Sequence, residues 1–200
     1  MKTALVLLDL QKGIVLSEKI AWEDPAVPRN ALAAAETLLR AARAAGAPVI
    51  HVRVVRPHDS GSFDELRTAN ARKSGKAPRE VLALAAGTDE VEFVLPPAAG
   101  EEIVHKVGVS AFQGTRLDTL LRHADVRDVI LAGAFTHMAV ESTARQGFDL
   151  GYRMCVVRDA CCAPVAAAHN AALGVGIPNF ATIVESSEAL ALLAPGSRAA

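Results

Sequence analysis

Two charged side chains stand where an α/β enzyme commonly places its reacting groups. Asp9 directly follows the apolar run Ala4–Leu8, and Lys106 follows the acidic pair Glu101 and Glu102 in the segment HKVGVSAFQGT. A carboxylate at the end of an apolar run is costly unless a cation or water compensates its charge. If both side chains end at the same edge of a sheet, they will pair and change each other's pKa. We therefore expect a carboxylate–ammonium pair at that edge.

The segment 133–152, GAFTHMAVESTARQGFDLGY, is the second place where chemistry is expected. Its pattern predicts the end of a strand followed by a helix, whose first backbone N–H groups can bind an anion or an oxyanion. The positions at that turn hold Thr136, His137, Met138 and Ala139, and none of them is an activated nucleophile. His137 has two interpretations, as a general acid or base and as a polar residue that lines a pocket.

The elements that must position these groups follow from the alternation of short apolar runs with helical segments. The apolar runs are Ala4–Leu8, Pro48–Val55, Val91–Leu95, Val129–Ala132, Met154–Val157 and Ala181–Val184. The helical segments are Asn30–Ala45, Thr115–His123, Ala139–Leu150 and Val165–Val175. Continuous apolar runs are typical of parallel strands buried on both faces. We predict a doubly wound, mainly parallel six-stranded α/β sheet with helices on both faces, forming one domain over residues 1–200.

Residues 56–79 interrupt this alternation with a polar segment rich in Gly, Ser, Arg and Lys. Long excursions of this kind are solvated surface loops or functional lids. As a lid, the segment would recruit an anionic substrate through basic residues such as Arg67, Arg72 and Lys73. Both interpretations stay open from the sequence.

Composition excludes several classes of protein. The chain has 200 residues, of which 51% are hydrophobic and 22% charged, with a net charge of −1. This balance argues against nucleic-acid and anionic-membrane partners, and 4% aromatic residues argue against base-stacking platforms. Three cysteines argue against a disulfide framework and for a reducing compartment. With no predicted signal peptide or membrane span, we expect a cytoplasmic protein.

Four segments in order carry a resemblance to a known family. They are ALVLLDLQ at 4–11, KVGVSAFQGTRLDTLL at 106–121, ILAGAFTHMAVESTARQGFDLGYRMCVVRDACCA at 130–163 and HNAALGVGIPNFATIV at 169–184. Together they resemble the isochorismatase-like, or cysteine hydrolase, superfamily, which includes nicotinamidases and N-carbamoylsarcosine amidases. The resemblance covers nearly the whole chain and does not specify a substrate.

The resemblance implies a catalytic Asp, Lys and Cys, of which two are present. By motif, the Asp matches Asp9 and the Lys matches Lys106, whereas the position expected for the Cys nucleophile holds Ala139. The cysteines of the chain lie elsewhere, at Cys155, Cys161 and Cys162. Because covalent catalysis of amide hydrolysis needs a thiolate at that helix start, the resemblance leaves this activity in doubt.

Three explanations of Ala139 remain open. The first is a similarity to true isochorismatases, which lack the thiol; the resemblance then implies cleavage of a vinyl ether with the Asp as acid. Their aromatic, small residue and His are matched by Phe135, Thr136 and His137, and the tripeptide SAF ends at Phe112. Alternatively, the chain is a Cys-to-Ala variant or a natural inactive homologue of a cysteine amidohydrolase. The third explanation is that another residue, such as Ser142 or Cys161, replaces the nucleophile.

The resemblance also implies a pocket for a small-molecule substrate and a homodimer or homotetramer. Trp22 is a further candidate for its wall, and the backbone N–H groups of Phe135 and Ala139 would face an oxygen that gains charge. The peptide between Ala134 and Phe135 is expected to be cis. The predicted substrate-binding residues are Gln11, Phe112, Ala134, Phe135, Thr136 and His137.

No cofactor and no metal are expected. The Asp and two neighbouring His that hold the nicotinamidase metal are missing, because His51 and His58 are separated by six residues. A binding module that kept the fold and lost catalysis is a further hypothesis, against which Asp9 and Lys106 speak. A dinucleotide-binding oxidoreductase is disfavoured because no G-x-G-x-x-G follows the first apolar run.

Overall fold

The computed structural model describes residues 2–56, 69, 72, 75 and 83–194, and within them it contains one six-stranded sheet. The strands are β1 Lys2–Leu8, β2 Val49–Val54, β3 Glu102–Lys106, β4 Val126–Ala134, β5 Arg153–Cys162 and β6 Ala181–Val184. All neighbouring strands are parallel, in the order β3-β2-β1-β4-β5-β6. The predicted α/β fold class is therefore confirmed.

The connections between strands are helical. The α-helices are α1 Lys12–Val15, α2 Ala26–Ala44, α3 Leu117–His123, α4 Glu141–Asp149, α5 Ala166–Ala171 and α6 Ser186–Leu193. Two π-helical turns, Thr136–Val140 and Ala172–Gly176, lie directly before α4 and after α5. Such wide turns are uncommon and frequently occur at functional sites. No helix among the described residues is long and apolar enough to cross a membrane.

Two apolar cores lie on opposite faces of the sheet. Successive strand side chains point to opposite faces, so Leu5 and Leu7 of β1 pack into one core while Val6 and Leu8 pack into the other. Helices α2 and α6 cover the first core, and α3 and α4 cover the second. Since every interior strand is covered on both faces, its sequence is continuously apolar rather than alternating.

The direction of winding reverses between β1 and β4. The chain runs from β1 outward through β2 to β3, returns to β4 beside β1, and then runs outward through β5 to β6. Leu8 of β1 is in register with Gly133 of β4, so the residues that follow these two strands emerge side by side. A reversal of this kind opens a crevice at the carboxyl ends of the strands, where α/β proteins bind ligands.

The prediction of the third strand was wrong. Val91–Leu95 was predicted as that strand, but Asp89–Val91 is a 3-10 helical turn and Phe93 forms only an isolated bridge with Gln11. The run ends at Pro96 and Pro97, which have no N–H to continue a ladder. The observed third strand, Glu102–Lys106, lies at the edge of the sheet. The predicted excursion 56–79, with its basic residues, lies outside the described residues except for positions 56, 69, 72 and 75.

Candidate active site

Asp9 and Lys106 form a buried ion pair at the carboxyl edge of the sheet. Lys106 Nζ lies 2.8 Å from Asp9 Oδ2, and the two side chains are 1% and 2% exposed. Lys106 is the last residue of β3 and reaches across β2 to Asp9, which directly follows β1. Asp9 has φ of +57°, a left-handed conformation that is uncommon outside glycine, and its N–H donates to Val52 O over 2.9 Å. The expectation that the two charges pair is confirmed.

The surroundings of Asp9 favour the protonated form of its carboxyl group more strongly than water does. Burial raises the pKa of Asp9, and this effect exceeds the opposing influence of the Lys106 ammonium and the Arg56 charge. Asp9 Oδ1 is buried and has no hydrogen-bond partner in the part of the chain that the structure describes. Lys106 Nζ also donates to Val109 O over 2.7 Å and to Gly108 O over 3.4 Å. One oxygen of Asp9 is thus fixed by Lys106, while the other remains available.

Gln11 fixes the loop that carries Asp9. Its side-chain Nε2–H donates to Val54 O over 2.9 Å, and the Val54 N–H donates to Gln11 Oε1 over 2.8 Å. The side-chain amide therefore pairs with the end of β2 as a backbone amide would. Because Gln11 is fully buried and both ends of its amide are engaged, its contacts favour a role in positioning Asp9. The substrate-binding role of Gln11 stays a prediction.

The end of β4 approaches β1 unusually closely. Gly133 has φ of +150°, and a Cβ at this position would stand 2.1 Å from Leu8 O, so only glycine fits. After Ala134, Phe135 adopts φ +59° and ψ +61° at the entry to the π-helical turn. The expected cis peptide before Phe135 is not observed, since the described residues contain no cis bond and the chain turns through this left-handed residue instead.

The π-helical turn carries Thr136, His137 and Ala139. Ala139 is 3% exposed, and its methyl group provides no nucleophile. Thr136 is fully buried, and its Oγ1 lies 2.8 Å from His169 Nδ1 on α5. Burial lowers the pKa of His169, with the charges of Arg158 and His137 acting in the same direction. His169 therefore supports this turn, a role that the sequence did not indicate.

His137 and Phe135 lie together at the same turn. Their ring centroids are 6.5 Å apart with the planes 68° to each other. The His137 ring is partly buried, and its Nδ1 is buried without a hydrogen-bond partner. Both side chains are close in sequence to Ala134, which is the last residue of β4 and lies one position beyond the residue in register with Leu8. The structure thus brings Ala134, Phe135 and His137 to the strand end beside Asp9.

Phe112 lies elsewhere. Its ring is buried and stacks on Tyr152 with 5.7 Å between centroids and 20° between planes. Tyr152 directly precedes β5, and its hydroxyl donates to Asp118 Oδ1 over 2.7 Å. These contacts place the Phe112 ring in the second core, toward the amino ends of the strands. No described contact supports the substrate role predicted for Phe112.

The three cysteines are buried thiols without a reactive neighbour. Burial raises the pKa of Cys155 and of Cys162 to about 12, and it raises that of Cys161 as well. The thiolate, which is the nucleophilic form, is therefore scarce at neutral pH. These properties support the interpretation of Cys161 and Cys162 as packing residues.

Two further features of the described residues bear on the site. No three His, Cys, Asp or Glu side chains among them form a group that could hold a metal ion, and His51 is bound to Glu101 with 2.8 Å between Nε2 and Oε2. A cavity of about 700 Å³ opens at the amino ends of β4, β5 and β6, with Tyr152, Arg153 and Phe180 in its wall. Neither Asp9 nor Lys106 lines this cavity, so it is separate from the crevice at the carboxyl edge.

The fold and the buried pair at its reversal point define an α/β protein of the isochorismatase-like hydrolase superfamily. The model of the isochorismatase domain matches residues 3–188, and the chain belongs to this family of hydrolases. The isochorismatase family protein YecD of Escherichia coli O157:H7 is 31% identical over 198 residues, covering 94% of each chain. The resemblance seen in the sequence is thereby confirmed.

Solved structures agree with this assignment. An isochorismatase family protein from Burkholderia thailandensis superposes with a TM-score of 0.78 at 28% identity, covering 96% of this chain and 95% of that one. A cysteine hydrolase from Pseudomonas syringae pv. phaseolicola 1448A gives a TM-score of 0.78 at 26% identity, covering 96% of this chain and 92% of that one.

Proposed function

We propose that this protein hydrolyses a small molecule without a covalent enzyme intermediate, with Asp9 as general acid. The observation that carries the proposal is the buried Asp9–Lys106 pair, in which Oδ2 is held at 2.8 Å and Oδ1 has no partner. Burial raises the pKa of Asp9, which increases the fraction of carboxyl that still carries a proton. The free oxygen is the one from which this proton would be transferred.

Lys106 acts on Asp9 rather than on the substrate in this proposal. Its ammonium group has three hydrogens, and it contacts three oxygens, those of Asp9, Val109 and Gly108. No donor is left over for a substrate carboxylate in this geometry. When the proton leaves Asp9, the new carboxylate gains the full attraction of the ammonium beside it. This attraction is stronger in the transition state than in the ground state and therefore lowers the barrier.

A vinyl ether is a substrate class that can be hydrolysed by a single general acid without a nucleophilic side chain. The Asp9 proton is transferred to the terminal vinyl carbon, and the electron pair of the double bond forms the new C–H bond. Water then adds to the resulting oxocarbenium carbon and returns a proton to Asp9. The hemiketal breaks its C–O bond to release a ketone and an alcohol. Phe135 and His137, which are both partly exposed, form the adjacent wall, and the N–H groups of Phe135 and Ala139 face the departing oxygen.

An assay with a matched control tests the acid role. Isochorismate, nicotinamide and simple amides are offered to the wild type, to Asp9→Asn and to Asp128→Asn, which alters a buried carboxylate at the other edge of the sheet. We expect isochorismate to be hydrolysed and kcat/KM to fall about 10²- to 10⁴-fold in Asp9→Asn alone. Turnover that survives Asp9→Asn would exclude Asp9 as the acid.

Ala139 favours a second candidate, a cysteine amidohydrolase that has lost its thiol and binds ligand without turnover. The residue is buried at the first turn after β4, where a thiol would stand among backbone N–H groups of a helix start. If the wild type hydrolyses nothing and Ala139→Cys creates amidase activity, this candidate is correct. If Ala139→Cys stays inactive on amides while isochorismate is turned over by the wild type, it is wrong.

A further inference from the structure

The indole N–H of Trp22 is a buried hydrogen-bond donor without an acceptor among the described residues. The ring is partly buried against the first core, and its Nε1 is buried without a partner. Asp9 Oδ1 and His137 Nδ1 are in the same condition. A buried donor of this kind is destabilising unless something else satisfies it, and native proteins contain few of them. A ligand that carries an oxygen acceptor is one group that would satisfy it.

The segment around Trp22 is fixed over the carboxyl edge of the sheet. The N–H of Glu23, the next residue, donates to Pro164 O over 3.0 Å, and Glu23 Oε2 accepts from the Ala166 N–H over 2.7 Å. Pro164 lies two residues beyond the end of β5. The chain that leaves β1 at Asp9 first runs beside the end of β2, where Gln11 binds Val54. It then passes residues 89–92, where Lys19 pairs with Glu90, and reaches the end of β5 at Trp22 and Glu23.

The register gives the spacing between the end of β1, which Asp9 follows, and the end of β5, beside which the neighbour of Trp22 is bound. Strands β1, β4 and β5 are consecutive neighbours, with Leu8 opposite Gly133 and Gly133 opposite Cys161. Two strand spacings amount to about 10 Å. This length is that of a six-membered ring with a substituent at each end. His137, which follows β4, stands between the two ends of the span.

We propose that Trp22 is a specificity-determining residue whose indole N–H binds an oxygen acceptor, a carboxylate or a carbonyl, at the end of the substrate remote from Asp9. Indole nitrogen can only donate, so the ligand group must carry a lone pair. His137 Nδ1 is the second polar atom available along the same span. This inference rests on the proposed function, which places the reacting end of the substrate at Asp9. It adds that the other end of the substrate must carry an oxygen acceptor.

Binding can be measured without any turnover, because Trp22 is the only tryptophan of the chain. Benzoate, a ring with one carboxylate, is titrated while the intrinsic fluorescence is recorded, and its Kd is also measured by calorimetry. Trp22→Phe keeps a ring and removes only the donor, whereas Trp22→Tyr restores a donor. Val175→Ala, at an exposed site away from the crevice, is the control. Thermal melting checks that every variant is folded.

We expect benzoate to change the emission saturably at millimolar concentrations. Its Kd should rise about tenfold in Trp22→Phe, recover in part in Trp22→Tyr and stay constant in Val175→Ala. With an active substrate, Trp22→Phe should raise KM by the same factor and leave kcat nearly unchanged. An unchanged Kd in Trp22→Phe, or no saturable binding to the wild type, overturns the inference. Absence of any hydrolysis by a wild type that binds benzoate through Trp22 would instead contradict only the proposed function.

Discussion

The two edges of the sheet satisfy their polar groups in opposite ways. At the amino edge, the buried carboxylate of Asp128 is bound by Arg153, with 2.6 Å between Oδ2 and Nη2, and the Tyr152 hydroxyl donates to Asp118. At the carboxyl edge, Asp9 Oδ1 and His137 Nδ1 are buried without partners. The left-handed residues Asp9 and Phe135 lie at this edge as well.

This difference separates the part of the molecule that stabilises the fold from the part that can act on a ligand. The paired charges of Asp128 and Arg153 contribute to stability at the amino edge. Unpaired buried atoms at the carboxyl edge cost stability, and proteins retain such features at functional sites. The family to which the chain belongs is one of hydrolases, and the carboxyl edge is where its chemistry is proposed to occur.

Gly133 is the residue whose substitution should have the largest effect. In Gly133→Ala, the new Cβ meets Leu8 O at 2.1 Å, so β1 or β4 must shift and Asp9 with it. We expect the free energy of unfolding to fall by about 3 kcal/mol or more, as measured by urea denaturation, with loss of hydrolysis.

Gly46→Ala is the matched control, because Gly46 also has a positive φ, +64°, but nothing lies within 4 Å of its Cβ position. It should cost only about 1 kcal/mol, the price of the left-handed conformation alone. Equal losses of unfolding free energy in both variants would show that the close approach of β1 and β4 does not determine the effect of Gly133→Ala.

The pH dependence of kcat/KM tests the carboxyl edge. Because burial raises the pKa of Asp9, the protonated acid persists to higher pH than in an ordinary Asp. We expect kcat/KM to be highest on the acidic side and to fall about tenfold per pH unit above that pKa. Stability should change in the same direction, since a folded-state pKa above the unfolded value makes stability fall as pH rises between the two.

Asp9→Asn should remove this pH dependence of stability, as followed by thermal melting across the same pH range. A kcat/KM that rises with pH over that range would indicate that the ionised carboxylate, and hence a general base, is the active form.

Arg153 tests the amino edge and should have the smallest effect. Arg153→Met leaves the buried Asp128 carboxylate without its cation, but the Arg153 side chain is 46% exposed, so water can replace part of the interaction. We expect a loss of about 1–2 kcal/mol in urea denaturation and an unchanged kcat/KM. The double variant Asp128→Asn with Arg153→Met should recover part of the loss. A large change in kcat/KM would contradict the conclusion that the amino edge contributes to stability and not to activity.

Most of the sheet could be predicted from the sequence because its interior strands are uniformly apolar. The runs that became β1, β2, β4 and β5 lie inside the sheet and are buried on both faces, which makes their sequences continuously apolar. The edge strand β6 was also predicted, because its run Ala181–Val184 is short and apolar although only partly buried. Strand β3 did not show this pattern. It lies at the sheet edge and holds Glu102, His105 and Lys106 among its five residues. Helix α6, Ser186–Leu193, was not predicted at all, although Glu185 and Glu188 form a capping box at its start.

The candidate site could be predicted only as far as strand order determines it. Asp9 and Lys106 each stand at a strand end, so a parallel sheet brings them to one edge whatever the loops do. Thr136 and His169, which are 33 residues apart in sequence, meet because α5 packs against the π-helical turn. No local pattern records that contact. The same holds for the bond between the Glu23 N–H and Pro164 O, which fixes the position of Trp22.

The pairing of Gln11 with Val54 has a consequence for how this protein could acquire new substrates. Two hydrogen bonds, of 2.9 and 2.8 Å, tie the Asp9 loop to the end of β2, so a shift of Asp9 would have to break both together. The turn after β4 has no such tie at His137. Evolutionary change in substrate preference should therefore accumulate at positions 135–139 and around Trp22, while the loop of Asp9 is inherited almost unaltered.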